Sequence, residues 1–231
     1  MKFSIVFDNY RANRKLESFW GFSCLINDNF LLDTGSNGRA LVRNITKMGY
    51  KIENLEYLFI SHPHWDHIGG IDSIVDINKN LTLFLPNSLS KLYIKDLKTL
   101  SKELKVINDN PTNLFDNFYS SGVMLPIGEQ SLVIDEGEFG IVIVGCAHAG
   151  ITNIIKKAKE ILNKPIAYAI GGFHLMRTDK EEIVKVVKEM KSLGVEYVTP
   201  THCSGDTAIK IFKEEYGENY ISGGVGRIIE F

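Results

Sequence analysis

All six histidines of this chain lie in four short segments, each of which follows an apolar run with the composition of a β-strand. Residues 61–70 read SHPHWDHIGG and contain three of the histidines together with an aspartate. The other three, His148, His174 and His202, follow the runs VIVGCA, AIGGF and YVTPT. Imidazole is the commonest metal ligand in proteins, and so many polar groups are costly to bury at a strand end without an ion. The distribution therefore predicts a metal centre and, with it, an enzyme.

The composition is typical of a soluble globular protein, with 44% hydrophobic and 23% charged residues. A chain of 231 residues is long enough for one sizeable core, and we expect a single domain over residues 1–231. The formal net charge is −2 and the basic residues are spread along the chain, which argues against a nucleic-acid partner. No apolar run approaches the roughly 18 residues that a membrane-spanning helix needs, so no membrane partner is expected.

The three cysteines, Cys24, Cys146 and Cys203, are odd in number and far apart, which argues against a disulfide framework. The chain begins with a strand-like run instead of the apolar stretch of a signal peptide. These features together predict a location in the reducing cytoplasm. Cys146 and Cys203 each lie within two residues of a candidate ligand. A thiolate there would bind zinc or iron, but we expect both to be small buried apolar residues.

Hydrophobic periodicity divides the chain into two β-rich halves, each with helices. Strands are predicted at about residues 2–8, 21–27, 30–33, 56–61, 123–126, 130–135, 140–146, 166–170 and 195–199. Helices are predicted at about residues 38–48, 68–76, 151–163, 180–193 and 205–216. The segment 97–122 contains many Asn and Asp residues and is predicted to be loop-like. This pattern indicates an α/β fold of two facing sheets with helices outside, an αβ/βα sandwich.

The predicted metal site starts from the alternation of side chains in an extended segment. His62 and His64 face the same way and can reach one ion. Asp66 and His67 then turn toward a second position as a helix begins near Ile68. The proposed ligands are His62, His64 and His148 for metal one, and Asp66, His67 and His202 for metal two. Two such ions, ~3.5–4 Å apart, lower the pKa of a water or hydroxide that bridges them and stabilise the attacking and leaving oxygens.

The H-x-H-x-D-H run, preceded by LLDTG at residues 31–35 and followed by the isolated histidines, resembles the metallo-β-lactamase superfamily. The resemblance runs essentially from end to end. Four further runs, GFSC, GCAHAGI, GGFHL and THCSG, narrow it. They resemble the branch of the 7,8-dihydropterin-6-methyl-4-(β-D-ribofuranosyl)-aminobenzene-5′-phosphate synthases.

The resemblance implies a four-layer αβ/βα sandwich of two mixed sheets with a dinuclear zinc, manganese or iron centre. It agrees with the six ligands above. Asp33, in the LLDTG run, is implied to orient a ligand or its loop; the alternative is a turn aspartate that caps the next helix. Two other residues are candidates for contact with substrate. Phe173 either stacks on a planar ring such as a pterin or fills the core, and Asp8 borders the same crevice.

The chain departs from the family pattern at the strand end Gly171-Gly172-Phe173-His174, where many dinuclear members carry a bridging aspartate. Asp179, the nearest downstream acid, reads as a helix cap. The missing carboxylate predicts a weaker second metal site. His174 is then a substitute ligand, a general acid for the leaving group, or a binder of a substrate phosphate. Asp66 and His174 are the predicted catalytic residues.

Three classes of function are consistent with these residues. The leading hypothesis is a metal-dependent hydrolase in which an activated water attacks a phosphate, diphosphate or ester group. In the synthase variant, the metal stabilises a departing diphosphate while an amine forms the new C–N bond. The alternatives are an iron-dependent redox enzyme and a non-catalytic metal- or cofactor-binding protein. The expected partner is a small molecule, phosphorylated or pterin-like; the sequence leaves the oligomeric state open.

Overall fold

The computed structural model of the chain describes residues 1–230 and divides into two compact units. The first unit comprises Met1–Asn108 and the C-terminal segment from Gly223, and the second comprises Asp109–Ser222. Each unit contains one mixed β-sheet with helices packed against it. Phe231, the last residue of the predicted single domain, lies outside the described residues, and the single-domain assignment stays a prediction.

Strands and helices follow one another along most of the chain. Those of residues 1–108 are β1 (Lys2–Asp8), β2 (Phe22–Ile26), β3 (Phe30–Leu32), α1 (Gly38–Lys47), β4 (Tyr57–Phe59), α2 (Trp65–Ile68), α3 (Ile71–Ile77), β5 (Thr82–Pro86), α4 (Lys91–Leu100) and β6 (Glu103–Ile107). Those of the second unit are β7 (Thr112–Phe115), β8 (Phe118–Ser120), β9 (Leu132–Asp135), β10 (Gly140–Val144), α5 (Ile151–Leu162), β11 (Ile166–Gly172), α6 (Lys180–Ser192), β12 (Tyr197–Thr201) and α7 (Asp206–Tyr216). The C-terminal segment adds β13 (Ile228–Glu230) to the first unit.

The sheet of the first unit changes from antiparallel to parallel pairing at β3. Its strand order is β13-β1-β2-β3-β4-β5-β6, and β3 to β6 are all parallel. The β2–β3 hairpin turns at Asn27 and Asp28, whose φ angles of 47° and 69° are left-handed, as such a turn requires. Because neighbouring parallel strands end at the same edge of a sheet, the residues that follow β3 and β4 lie close together.

The core of the first unit forms where α1 packs against the sheet and α3. Helix α1 begins after Asn37, whose side chain accepts a hydrogen bond from the N–H of Ala40 and so caps the helix. Its buried face includes Leu41 and Ile45, which join Val6 of β1 in one apolar cluster. Each such fully buried aliphatic side chain stabilises the fold by about 1.5–3 kcal/mol.

The sheet of the second unit has the order β12-β11-β10-β9-β8-β7, with parallel pairing from β12 to β10 and antiparallel pairing from β10 to β7. The segments after β10, β11 and β12 therefore share one edge. Gly171, near the end of β11, has a φ of 121°, and a side chain there would collide with the carbonyl oxygen of Val144 on β10. Glycine is required at this position to keep the two strand ends together.

Helices α5, α6 and α7 contribute to the apolar cluster of the second unit. Helix α6 begins after Asp179, whose carboxylate accepts a hydrogen bond of 2.9 Å from the N–H of Glu182, so the predicted helix cap is confirmed. This 13-residue helix is the longest among residues 1–230. No helix in that range is both long and apolar enough to cross a lipid bilayer.

Two local predictions of secondary structure are wrong. The segment 97–122 is not a loop, because it contains the end of α4 and the strands β6, β7 and β8; its Asn and Asp residues lie largely in the turns. The strand predicted at 123–126 is instead part of a tight turn. The N–H groups of Gly128 and Glu129 both donate to the carbonyl oxygen of Met124, which bends the chain away from any strand pairing beyond one isolated bridge.

Candidate metal centre

The first unit collects five of the predicted site residues at one sheet edge. Asp33 directly follows β3 and His62 lies three residues beyond the end of β4, and these strands are parallel neighbours. His62, Asp66 and His67 are buried, whereas the side chain of His64 is exposed. This sheet edge therefore presents imidazole and carboxylate groups, and among the four residues of the cluster it is His64 that is exposed to solvent.

Neighbouring side chains of this cluster lie, pair by pair, at distances that suit metal binding. The Nε2 atom of His62 and the Nδ1 atom of His64 are 3.1 Å apart, and the rings of His62 and His67 have centroids 4.1 Å apart. The Nε2 atom of His67 is 3.8 Å from a carboxylate oxygen of Asp66. Two imidazole nitrogens on one tetrahedral zinc, each at about 2.0–2.1 Å, lie roughly 3.3 Å from each other. The residues present thus fit a divalent metal centre.

Asp33 fixes the orientation of His67. Its Oδ2 atom lies 2.6 Å from the Nδ1 atom of His67 and accepts a hydrogen bond of 2.7 Å from the hydroxyl of Ser61, while its Oδ1 atom accepts one of 2.7 Å from the N–H of Ser61. A carboxylate can only accept, so Nδ1 of His67 carries the proton and Nε2 carries the lone pair. A hydrogen bond of this kind behind a metal-ligating histidine sets its tautomer and raises its basicity.

Ser61, which the sequence reasoning missed, sets the tautomer of His62 in the same way. Its single hydroxyl proton is donated to Asp33. In the hydrogen bond of 2.9 Å between the Ser61 oxygen and Nδ1 of His62, the histidine N–H must therefore be the donor. Nε2 of His62 then carries a lone pair directed toward His64. One buried aspartate and one serine thereby prepare two imidazoles as ligands.

The backbone of His67 is held by the residue that follows Asp33. Both the N–H and the hydroxyl of Thr34 donate to the carbonyl oxygen of His67, at 2.8 and 2.9 Å. The N–H of Gly70 donates to the same hydroxyl at 3.1 Å, and a Cβ atom on Gly70 would lie 2.5 Å from the carbonyl oxygen of Thr34. The Asp33-Thr34-Gly35 run and the Gly69-Gly70 pair therefore allow the loop after β3 to pack closely against the end of α2.

The helix after the first two histidines begins earlier than predicted. It starts at Trp65, not near Ile68, because the carbonyl oxygen of His64 accepts hydrogen bonds from the N–H groups of His67 and Ile68. Asp66 and His67 consequently lie in the first turn of α2, which directs them differently from the extended His62-Pro63-His64 segment. Trp65 is 64% exposed.

The second unit collects the remaining histidines at the shared edge of β10, β11 and β12. The side chains of His148 and His174 are in contact, with ring centroids 4.0 Å apart, while His202 is fully buried. Ala147, His174 and His202 have left-handed φ angles of 51°, 55° and 49°. Non-glycine residues adopt this conformation at a cost of about 1–3 kcal/mol and concentrate at functional sites.

Two thiols lie among these histidines. Cys146 and Cys203 are both buried, and Sγ of Cys203 donates to the carbonyl oxygen of Cys146 at 3.6 Å. Burial opposes ionisation of Cys203, but hydrogen bonds from Cys146 and His174 and the nearby His202 hold its pKa well below the usual range. The hydrogen bond with Cys203 in turn raises the pKa of His174. Cys203 and His174 therefore form a polar pair, so Cys203 is not simply an apolar residue that fills the core.

Glu129 is a further buried acid that the sequence reasoning missed. Its side chain accepts a hydrogen bond of 2.8 Å from the N–H of Ala149, it also contacts the backbone of His148, and burial raises its pKa. It thereby anchors the loop that carries His148. The sequence gives little sign of this role, since Glu129 follows Gly128 in an apparent surface turn.

The two weaker candidates lie in supporting positions. Phe173 is 1% exposed and packs edge-to-face on Phe212 at a centroid distance of 5.4 Å, so its contacts favour the core-filling role over ring stacking on a substrate. Asp8 is buried at the end of β1, and its carboxylate accepts a hydrogen bond of 3.0 Å from the N–H of Tyr10. That the donors of the two units bind the same ions stays a prediction.

Comparison with known protein families supports the resemblance to the metallo-β-lactamase superfamily. The sequence profile of the metallo-beta-lactamase superfamily matches residues 23–83, which run from β2 to β5 and contain Asp33 and the H-x-H-x-D-H cluster. The chain therefore resembles the metallo-β-lactamase superfamily in this sequence segment and in its fold. The predicted resemblance and the predicted fold class, two mixed sheets flanked by helices, are both confirmed.

Individual relatives narrow the resemblance. The chain is 29% identical to the 7,8-dihydropterin-6-methyl-4-(beta-D-ribofuranosyl)-aminobenzene-5′-phosphate synthase of Methanocaldococcus jannaschii, over 89% of this chain and 85% of the relative. It is 28% identical to the uncharacterized protein MJ0448 of the same organism, over 97% and 98% of the two chains. Among solved structures it is similar to Tm1679, a metal-dependent hydrolase of the beta-lactamase superfamily, with a TM-score of 0.86, 27% identity and coverage of 100% and 99%.

Proposed function

We propose that this protein is a metal-dependent enzyme that acts on a phosphate, diphosphate or ester group of a small-molecule substrate. The observation that carries the proposal is the cluster of the first unit, in which Asp33 and Ser61 keep Nε2 of His62 and His67 unprotonated, the state in which an imidazole nitrogen can bind an ion. A purely structural role would not require two imidazoles to be prepared in the same way.

We propose two divalent ions, with zinc as the preferred metal and manganese or iron as alternatives. The ligands are His62, His64 and His148 for one ion, and Asp66, His67 and His202 for the other. When bound, such ions lower the pKa of a water ligand and stabilise negative charge on a leaving oxygen. The support comes from the donor types, from their position at the ends of parallel strands in each unit, and from the match of residues 23–83 to the metallo-beta-lactamase superfamily.

The chain's own residues orient the ligands and manage charge. Asp33 holds His67 and, through Ser61, His62 in the tautomers that ligation needs. Glu129 positions the loop of His148 from behind. Asp66 and His174 remain the proposed catalytic residues. His174 is the more solvent-exposed of the two and therefore the better placed to contact a substrate.

Asp33→Asn is expected to lower the affinity for metal by about 10- to 100-fold, the usual cost of losing the partner behind a ligating histidine. The amide keeps the shape, but its NH₂ group would face one of the donors from Ser61 or His67. Metal affinity is measured by competition with a chromophoric chelator. Asp76→Asn, on the exposed face of α3, is the control. A folded Asp33→Asn protein with wild-type affinity would refute the orienting role.

Hydrolase and synthase activities are separated by their requirement for an amine. The name of the M. jannaschii relative favours coupling of a dihydropterin diphosphate to a ribosyl-aminobenzene phosphate, whereas the name of Tm1679 favours hydrolysis. The test measures diphosphate release from the pterin substrate with and without the arylamine, alongside turnover of simple phosphate and carboxylate esters. Release only with the amine supports the synthase, and release without it supports the hydrolase. No metal-dependent turnover in either assay would count against both.

A further inference from the structure

We propose that Cys146 and Cys203 are metal ligands, and that together with His202 they hold a thiophilic divalent cation such as zinc. This goes beyond the ligand set above, in which no thiol takes part. It rests on the proposed function in one respect, because His202 is assigned to the second ion in both. All three residues belong to the second unit, so the set is defined within one sheet edge.

The three donor atoms already lie close together. Sγ of Cys146, Sγ of Cys203 and a ring nitrogen of His202 are all within 4.8 Å of one another. On a tetrahedral zinc with Zn–S of about 2.3 Å and Zn–N of about 2.0–2.1 Å, ligand atoms lie roughly 3.6–3.8 Å apart. The upper limit on the present separations exceeds this spacing by only about 1 Å.

The backbone around these donors is built to leave room for them. A Cβ atom on Gly172 would lie 2.6 Å from Sγ of Cys203 and 3.2 Å from Cδ2 of His202, so the absent side chain is what allows thiol and imidazole to occupy this space. His202 adopts its left-handed conformation at the same point.

The charge of the site also favours thiolates. The strand end Gly171-Gly172-Phe173-His174 carries no acid, so Asp66 is the single carboxylate among the proposed ligands of the ion near His202, and thiolates would supply further negative charge. Two thiolates can neutralise a divalent cation, and sulfur ligands favour zinc over harder ions such as magnesium. His174, whose side chain is exposed and hydrogen-bonded to Cys203, offers an adjacent fourth donor.

Cys24 provides an internal contrast. It is fully buried in β2, where its thiol has a long contact of 3.9 Å with the neighbouring Leu25 carbonyl oxygen. Burial raises its pKa to about 12, and it belongs to none of the groups of potential metal ligands among residues 1–230. Cys24 thus represents the small apolar role that the sequence suggested for Cys146 and Cys203.

The test is zinc K-edge X-ray absorption of the full chain loaded with zinc under reducing conditions. A shell of sulfur at about 2.3 Å is expected, in addition to nitrogen and oxygen at about 2.0–2.1 Å. Cys203→Ala and Cys146→Ala should each reduce the sulfur shell, and affinity for the second zinc should fall by more than the 10- to 100-fold typical of an outer partner. Cys24→Ala should leave both unchanged.

Two results would overturn the proposal. One is a wild-type spectrum that contains bound zinc with nitrogen and oxygen neighbours only; this needs no variant and so does not depend on whether the variants fold. The other is a sulfur shell that survives in a folded Cys146→Ala, Cys203→Ala double variant. Neither result would contradict the proposed function, which is refuted separately if His62, His64 and His67 bind no metal.

Discussion

Replacing His64 with alanine is expected to lower metal-dependent kcat/KM by at least about 10²–10³-fold, the loss seen when one electrostatic stabiliser of a transition state is removed. The ring lies 3.1 Å from Nε2 of His62, where a shared ion would be bound. Its side chain is exposed and makes no capping hydrogen bond to α2, so the fold should tolerate its loss. The measurements are kcat/KM, metal content per chain, and the thermal midpoint.

Asp76→Ala is the matched control for His64→Ala, because Asp76 is an exposed polar residue of the same unit on α3. It should retain wild-type activity and metal content. A His64→Ala protein that keeps both full metal content and full activity would show that this histidine is not a ligand. Loss of activity together with a large drop in thermal midpoint would instead assign His64 a structural role.

Phe212→Ala should destabilise the protein by about 3–5 kcal/mol, the usual cost of removing a fully buried phenylalanine ring. Phe212 of α7 is completely buried between Phe173, at a centroid distance of 5.4 Å, and Tyr216, at 5.9 Å. The cavity left behind could not be filled, since these rings are fixed by the core of the second unit. Urea-induced unfolding followed by circular dichroism gives the free energy.

Lys213→Ala, one residue further on the exposed face of the same helix, controls for helix propensity and should change stability by less than about 0.5 kcal/mol. Phe212→Ala should also weaken the site, because Phe173 immediately precedes His174. A loss of less than about 1 kcal/mol in Phe212→Ala would contradict the packing described for the second unit, since surface-like tolerance is not expected of a buried ring.

Much of the fold could be predicted because its periodic segments are strong and local. Strand β1 and helices α5 and α6 were predicted within about two residues, since each shows a clear alternation or an apolar face bounded by turn residues. The edge strands β6 and β7 and the adjacent β8 were missed. Their residues are partly exposed and Asn and Asp lie mostly in the turns between them, so the pairing with neighbouring strands, which is not visible in the sequence, decides their conformation.

The site was predicted unevenly for a similar reason. The spacing of His62, His64, Asp66 and His67 is local, so the sequence indicates the cluster directly. Glu129 and the thiol pair act through long-range contacts, for example the 57-residue separation between Cys146 and Cys203. Such contacts depend on which strands become neighbours. No role could be predicted for Glu129, and residue type alone suggested apolar filling for Cys146 and Cys203.

Anomalous diffraction from crystals of the metal-loaded protein, recorded at the absorption edge of the bound metal, tests the central claim most directly. We predict an anomalous peak bonded to nitrogen atoms of His62 and His64 at about 2.0–2.1 Å, with a second metal peak bonded to Nε2 of His67. Crystals that contain metal by fluorescence but show no anomalous peak within bonding distance of these three histidines would contradict it.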